Sequence, residues 1–136
     1  MFQVRYVVNW GDCDAAGIIF YPKYFYWFDS TFNAWLRARG LSQRCLESRF
    51  GGVTPLVDVG ANFRSPVTYD DEVAIEARIA DRQEKRFRIG YRVTSGDRLV
   101  AEGHEERAWA THVDGRLRGT SIPPAFFDAL TTSDPQ

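Results

Sequence analysis

Residues 11–24 read Gly-Asp-Cys-Asp-Ala-Ala-Gly-Ile-Ile-Phe-Tyr-Pro-Lys-Tyr, a run of small and acidic residues that gives way to aromatics at a proline. Pro22 decides the reading, because its fixed φ suits the first position of a helix and its missing N–H costs nothing there. Beyond it, Phe25, Phe28, Phe32, Trp35 and Leu36 recur at steps of three and four, while Tyr26, Asp29, Asn33 and Arg37 make a more polar stripe. That spacing predicts a long helix starting at about Pro22 and stopped by Gly40. Its apolar stripe, with Phe25, Phe28 and Phe32 as core, is too aromatic to be solvated all round. Other elements must wrap it.

Working outward, Phe2, Val4, Tyr6 and Val8 alternate with Gln3, Arg5, Val7 and Asn9, the period of a half-buried strand that ends at Gly11. On the far side, Leu56 to Phe63, Glu72 to Ala80, Phe87 to Thr94 and Leu99 to Val113 read as strands separated by turn residues. Ser95-Gly96-Asp97 and Asp114-Gly115 fit hairpin turns. Pro123-Pro124 introduces a short turn of helix to Leu130, followed by a polar tail at 131–136. The order predicts one α+β domain over residues 1–130, with an antiparallel sheet of five or six strands around one long helix.

With 136 residues and 44% hydrophobic content, the chain has enough apolar material for one core without disulfides or a structural metal. Its 17 Lys and Arg against 18 Asp and Glu leave a net charge of −1, which argues against nucleic acid or an anionic membrane as partner. Met1 to Trp10 alternates and carries Arg5, so it lacks the apolar run of a leader or span. Cys13 and Cys45 form no metal-ligand or CxxC spacing, so no metal or disulfide is expected and a reducing cytoplasmic setting is. His104 and His112 belong to no nucleophile, base and orienter pattern that the sequence reveals, and the Gly-x-Ser-x-Gly, Walker and His-Glu-x-x-His signatures are absent.

The quoted stretch also holds two carboxylates, Asp12 and Asp14. Asp14 lies just ahead of a helix start, where backbone N–H groups lack intrahelical partners and carry the positive end of the dipole. Such N–H groups can stabilise an oxyanion in acyl transfer. The plainer role for Asp14 is a turn or cap that shapes the loop. Asp12 fits that shaping role better, and Gly17 supplies a backbone conformation or close approach denied to other residues.

The stretch from Gly11 to Tyr24 closely resembles the active-site loop of the 4-hydroxybenzoyl-CoA thioesterase family, whose fold is the hotdog. Weaker similarity runs through Thr54-Pro55, Tyr69-Asp70-Asp71 and Arg116-Leu117-Arg118, over roughly the first 125 residues. The resemblance implies an acyl-CoA thioesterase with no cofactor, in which Asp14 is the catalytic carboxylate, as nucleophile or general base, and the Tyr21 N–H is the oxyanion donor. It places Asp29 near the acyl end of the substrate, although Asp29 could simply meet Asn33 one turn on. Tyr24, Trp27 and Phe28 could line the acyl pocket, and Gly17 and Thr54 join the substrate site. Lys85 is the carry-over of a basic cluster for the coenzyme phosphates, with Gln83 and Glu84 standing where more basic residues are expected; Arg86, Arg88, Arg116 and Arg118 are further candidates. The resemblance also implies a homo-oligomer, a dimer of dimers with active sites at the dimer interface. The rivals are a thioesterase for short aliphatic acyl-CoA or acyl carrier protein, a non-catalytic acyl-CoA binding protein, and a hydratase, the last disfavoured because no His lies near Asp14.

Overall fold

Alternation and helical spacing both become structure over residues 1–132, which the computed structural model describes. The chain runs β1 (Phe2–Val7), a 3-10 turn (Trp10–Asp12), α1 (Pro22–Ala38), α2 (Gln43–Phe50), β2 (Leu56–Phe63) and β3 (Glu72–Arg82). It continues through β4 (Arg86–Ser95), β5 (Arg98–Ala108), β6 (Ala110–Val113), β7 (Arg116–Gly119) and α3 (Pro124–Thr131). Five strands pair antiparallel in the order β1-β3-β4-β5-β2, and β6 pairs with β7 in a separate hairpin. This is the hotdog layout.

The stripe of α1 meets the inner face of the sheet, burying Tyr24, Trp27, Phe28, Thr31, Phe32, Trp35 and Leu36. Phe28 stacks on Tyr91 of β4 with centroids 4.4 Å apart, and Phe32 faces Phe87 at 5.9 Å. Each such buried side chain stabilises the fold by about 1.5–3 kcal/mol. Gly103 of β5 makes room for Phe28, since a Cβ there would lie 2.4 Å from the ring. Phe25 departs from expectation and is only half-buried, against the rim of the core. Gly40 ends the helix at φ +69°, with the Leu41 N–H donating back to the Leu36 carbonyl at 2.7 Å.

The outer face of the sheet is polar, and one row across all five strands reads Gln3, Glu76, Arg92, Glu102 and Asn62. Opposite charges alternate along it, which favours this register. β1 and β2 form the two edges, and β2 exposes Leu56, Val57 and Phe63.

Two features differ from the sequence reading. The strand expected over Leu99 to Val113 breaks at Trp109, whose N–H turns to the Lys85 carbonyl (2.9 Å) while its indole packs over Gly52 and near Phe126. A second helix, α2, precedes β2; Ser42 caps it and Gly51 closes it at φ +72°, but its polar sequence buries only Leu46. Of the tail, Thr131 closes α3, and residues 133–136 lie outside the described residues. No helix among the described residues is long and apolar enough to cross a membrane.

Candidate active site

The loop between β1 and α1 is built around Asp12. Its buried carboxylate accepts the Tyr6 hydroxyl at 2.7 Å and the Asn9 N–H at 2.8 Å, with the Lys23 ammonium 3.6 Å away. Gly17 takes φ +81°, and its carbonyl accepts the Thr68 hydroxyl at 2.6 Å. These contacts give Asp12 and Gly17 their shaping roles. Asp14 stands on the exposed side of the same loop. Its Oδ1 accepts the Ala16 N–H at 2.8 Å, the turn geometry of the plainer reading, while Oδ2 has no hydrogen-bond partner among the described residues. One carboxylate oxygen is held and the other is left free.

The helix entrance is similarly depleted of donors. Lys23 N–H donates to the Phe20 carbonyl, Tyr24 N–H to that of Tyr21 and Phe20 N–H to that of Asp12, and Pro22 has none. Of residues 20–24 only the Tyr21 N–H lacks a partner among the described residues. It sits at the positive end of a 17-residue helix. Beside it opens a cavity of about 420 Å³, lined by Ile18, Ile19, Tyr21, Tyr24, Phe63 and the segment Arg64 to Val67. The cavity is of the size that holds small organic ligands. Arg98 braces its wall from β5, donating to the Ser65 hydroxyl at 3.0 Å and to the Pro66 carbonyl. Tyr24 contributes its ring, and burial pushes its phenol up from the ordinary tyrosine range. Trp27 and Phe28 are core residues beneath it rather than lining.

Asp29 and Thr54 fall on a second feature, one that the sequence reading did not foresee. Arg107 of β5, with its side chain 5% exposed, donates from Nε to Glu105 Oε1 (3.1 Å) and from Nη1 to the Thr54 carbonyl (2.9 Å). Its Nη2 donates to Glu105 Oε2 (3.0 Å) and to Asp29 Oδ1 (2.8 Å). The Tyr91 hydroxyl donates to Glu105 Oε1 at 2.5 Å. Gln43 of α2 donates to the Thr54 hydroxyl at 2.8 Å and to Asn33 Oδ1 at 3.3 Å, and Asn33 donates to Asp29 Oδ1 at 3.2 Å. A hydrogen-bonded ring thus joins α1, α2, the segment before β2, and β5. Burial pushes the Glu105 carboxyl up, opposed by the Arg107 charge and by hydrogen bonds from Tyr91 and Arg107. Burial and the adjoining Glu105 carboxylate push the Tyr91 phenol well above its usual range.

Asp29 therefore does meet Asn33, but its stronger partner is Arg107. Thr54 is buried inside the ring rather than open to solvent. Lys85 lies exposed in the β3–β4 turn, whereas the Asp14 loop adjoins the other end of β3, where the Val8 N–H meets the Asp71 carbonyl. The eleven residues of β3 between them span roughly 33 Å. One protomer does not bring Asp14 and Lys85 together.

Over residues 8–130 the sequence matches the thioesterase-like superfamily. The chain belongs to that superfamily. Within it, the chain is 32% identical over 129 residues to 4-hydroxybenzoyl-CoA thioesterase from Pseudomonas sp. (strain CBS-3), covering 89% of this chain and 91% of that enzyme. The solved structure of that enzyme superposes with a TM-score of 0.84 at 31% identity, covering 93% of this chain and 96% of the other. A gentisyl-coenzyme A thioesterase superposes with a TM-score of 0.80 at 30% identity, covering 92% and 98%. The 1,4-dihydroxy-2-naphthoyl-CoA hydrolase of Synechococcus elongatus is 28% identical over 101 residues, 74% of each chain. This hotdog thioesterase is accordingly a thioester hydrolase of the 4-hydroxybenzoyl-CoA thioesterase family.

Glu105, Arg107, Tyr91 and Gln43 are the site residues that sequence reasoning missed. The available signal was parity. Ala101, Gly103, Glu105 and Arg107 share the inward face of β5, so opposite charges two apart sit where apolar residues are expected.

Proposed function

We propose that this thioesterase hydrolyses the CoA thioester of a hydroxylated aromatic acid, with Asp14 as its reacting carboxylate. The observation that carries the reading is the Tyr21 N–H, unpartnered among the described residues, at the positive end of α1 and on the wall of an apolar cavity. A thioester carbonyl directed at that N–H has its developing oxyanion stabilised, which is commonly worth about 3–4 kcal/mol in such sites. Asp14 attacks the acyl carbon through its free oxygen, the C–S bond breaks, and CoA leaves as thiolate. Water then cleaves the resulting mixed anhydride, restoring the Asp14 carboxylate and releasing the free acid. General-base activation of water by the same oxygen gives the same products.

The substrate class comes from the relatives, whose names specify hydroxybenzoyl, gentisyl and dihydroxynaphthoyl thioesters. Comparing kcat/KM for 4-hydroxybenzoyl-CoA and butyryl-CoA tests it. The aromatic ester is expected to be preferred by an order of magnitude or more, and a butyryl preference overturns the aromatic assignment. Because Asp14 and Lys85 lie toward opposite ends of β3, the working site draws on two chains paired along the apolar β2 edge, in a dimer of dimers. Lys85 of one chain then serves the coenzyme phosphates of another. Sedimentation as a monomer under assay conditions overturns that arrangement.

A further inference from the structure

We infer that Tyr6 and Lys23 are positioning residues of the hydrolysis: both grip the Asp12 carboxylate, and through it they hold the Asp14 carboxylate in place against the Tyr21 N–H. The inference rests on the proposed roles of Asp14 and Tyr21 and deepens them.

Residues 12–20 fold back on themselves as a small hairpin. The Phe20 N–H donates to the Asp12 carbonyl and the Asp14 N–H to the Ile18 carbonyl, each at 2.9 Å, and Cys13 bridges Ile19 between them. Asp14 stands on the outgoing limb and is set by this hairpin. Tyr21 is set by the helix instead: it caps α1 with helical backbone angles (φ −55°, ψ −31°), and its carbonyl accepts the Tyr24 N–H at 3.1 Å. The two groups of the site therefore belong to two units that meet between Phe20 and Tyr21. The backbone crosses that junction with the Lys23 N–H on the Phe20 carbonyl at 2.9 Å. Side chains add a second tie.

Asp12 supplies it from the root of the hairpin. Its buried carboxylate meets β1, the turn after it and α1 together. Oδ2 accepts the Tyr6 hydroxyl at 2.7 Å and the Asn9 N–H at 2.8 Å, while Oδ1 faces the Lys23 ammonium at 3.6 Å. Tyr6 is itself held, since its hydroxyl accepts Asn9 Nδ2 at 3.1 Å and its ring packs on Trp27 of α1 with centroids 5.4 Å apart. Burial and the Asp12 hydrogen bond push the Tyr6 phenol up from the ordinary tyrosine range, so it stays a donor at neutral pH. Tyr6 fixes the hairpin root to the sheet, and Lys23 closes the junction with the helix. A displacement of about 1 Å at a reacting group can cost about 10²-fold in rate, so losing either tie is read in kcat.

The test measures kcat and KM for CoA release from the better of 4-hydroxybenzoyl-CoA and butyryl-CoA, in the wild type and in an Asp14→Asn background. Tyr6→Phe keeps the ring on Trp27 and removes only the hydroxyl. Lys23→Met removes the charge at an exposed position, which keeps the test available if Tyr6→Phe folds poorly, and Lys23→Arg restores it. The expected result is a kcat about tenfold lower in Tyr6→Phe and in Lys23→Met with KM nearly unchanged, most of it recovered in Lys23→Arg. Neither change lowers the residual rate of Asp14→Asn further, because the group being positioned is gone. A merely structural role reduces folded enzyme and cuts the rate by the same factor in both backgrounds, which overturns the inference. So does a raised KM with kcat unchanged. Wild-type kcat in Tyr6→Phe and Lys23→Met, with Asp14→Asn inactive, overturns the inference alone, and wild-type turnover in Asp14→Asn overturns it together with the role of Asp14.

Discussion

Asp14→Asn lowers kcat for an aromatic acyl-CoA by about 10²–10⁴-fold, the range for losing a positioned nucleophile or base, while the denaturation midpoint barely moves. The choice of asparagine separates the two readings of this residue. Asp14 Oδ1 accepts the Ala16 N–H at 2.8 Å, and an asparagine carbonyl oxygen accepts the same bond, so the turn survives. Asp14→Ala removes the bond as well, at a further cost of about 0.5–1.5 kcal/mol in stability. If Asp14 acts chemically, both variants are inactive and only alanine is less stable. If it only shapes the loop, asparagine retains activity and alanine alone is impaired. Wild-type turnover in Asp14→Asn, measured as CoA release, removes Asp14 from the mechanism.

That separation is possible because the buried contacts of the loop come from other residues. Asp12 carries the buried contacts to Tyr6 and Asn9, and Gly17 supplies the left-handed turn. The sequence distinguished these neighbours only by motif. Nothing in composition separates two aspartates two positions apart, whereas the structure buries the first and exposes the second.

Elements with a clean period were legible in advance. The alternation of Phe2 to Val8 and the stripe of α1 became β1 and the packed helix because each repeats one polarity over several residues. α2 escaped because eight residues with only Leu46 buried carry too little period, although Ser42 and Gly51 mark its ends. Trp109 escaped because a strand break caused by long-range packing, on Gly52 and against the Lys85 carbonyl, has no local signature. The buried ring of Arg107 was hidden for a related reason. Its members come from positions 29, 33, 43, 54, 91, 105 and 107, and only the packing of both helices against the paired strands brings them together.

The second large effect is on stability. Arg107→Leu removes the one cation paired with Glu105 among the described residues, beside a carboxylate whose side chain is 1% exposed, and is expected to cost about 3–5 kcal/mol in denaturant unfolding. The size follows from what is left behind, not from what is lost: a buried carboxylate with only Tyr91 as donor. The pH dependence has a definite sign. Burial already holds the Glu105 carboxyl above its unfolded value, and losing Arg107 raises it further. A raised carboxyl pKa means that the folded state binds the proton more tightly, so its contribution to stability is present below the ordinary glutamate range and is lost as pH rises through the folded value. The penalty of Arg107→Leu is therefore smallest in mild acid and grows toward neutral pH. Glu105→Leu added to Arg107→Leu removes the stranded charge and recovers most of the loss, since an apolar replacement of a buried pair is often neutral. The Thr54 carbonyl and Asp29 Oδ1 each lose the Arg107 donor in that double variant, so the recovery stops short of complete. A single Arg107→Leu variant as stable as wild type at neutral pH shows that the ring does not bear on folding.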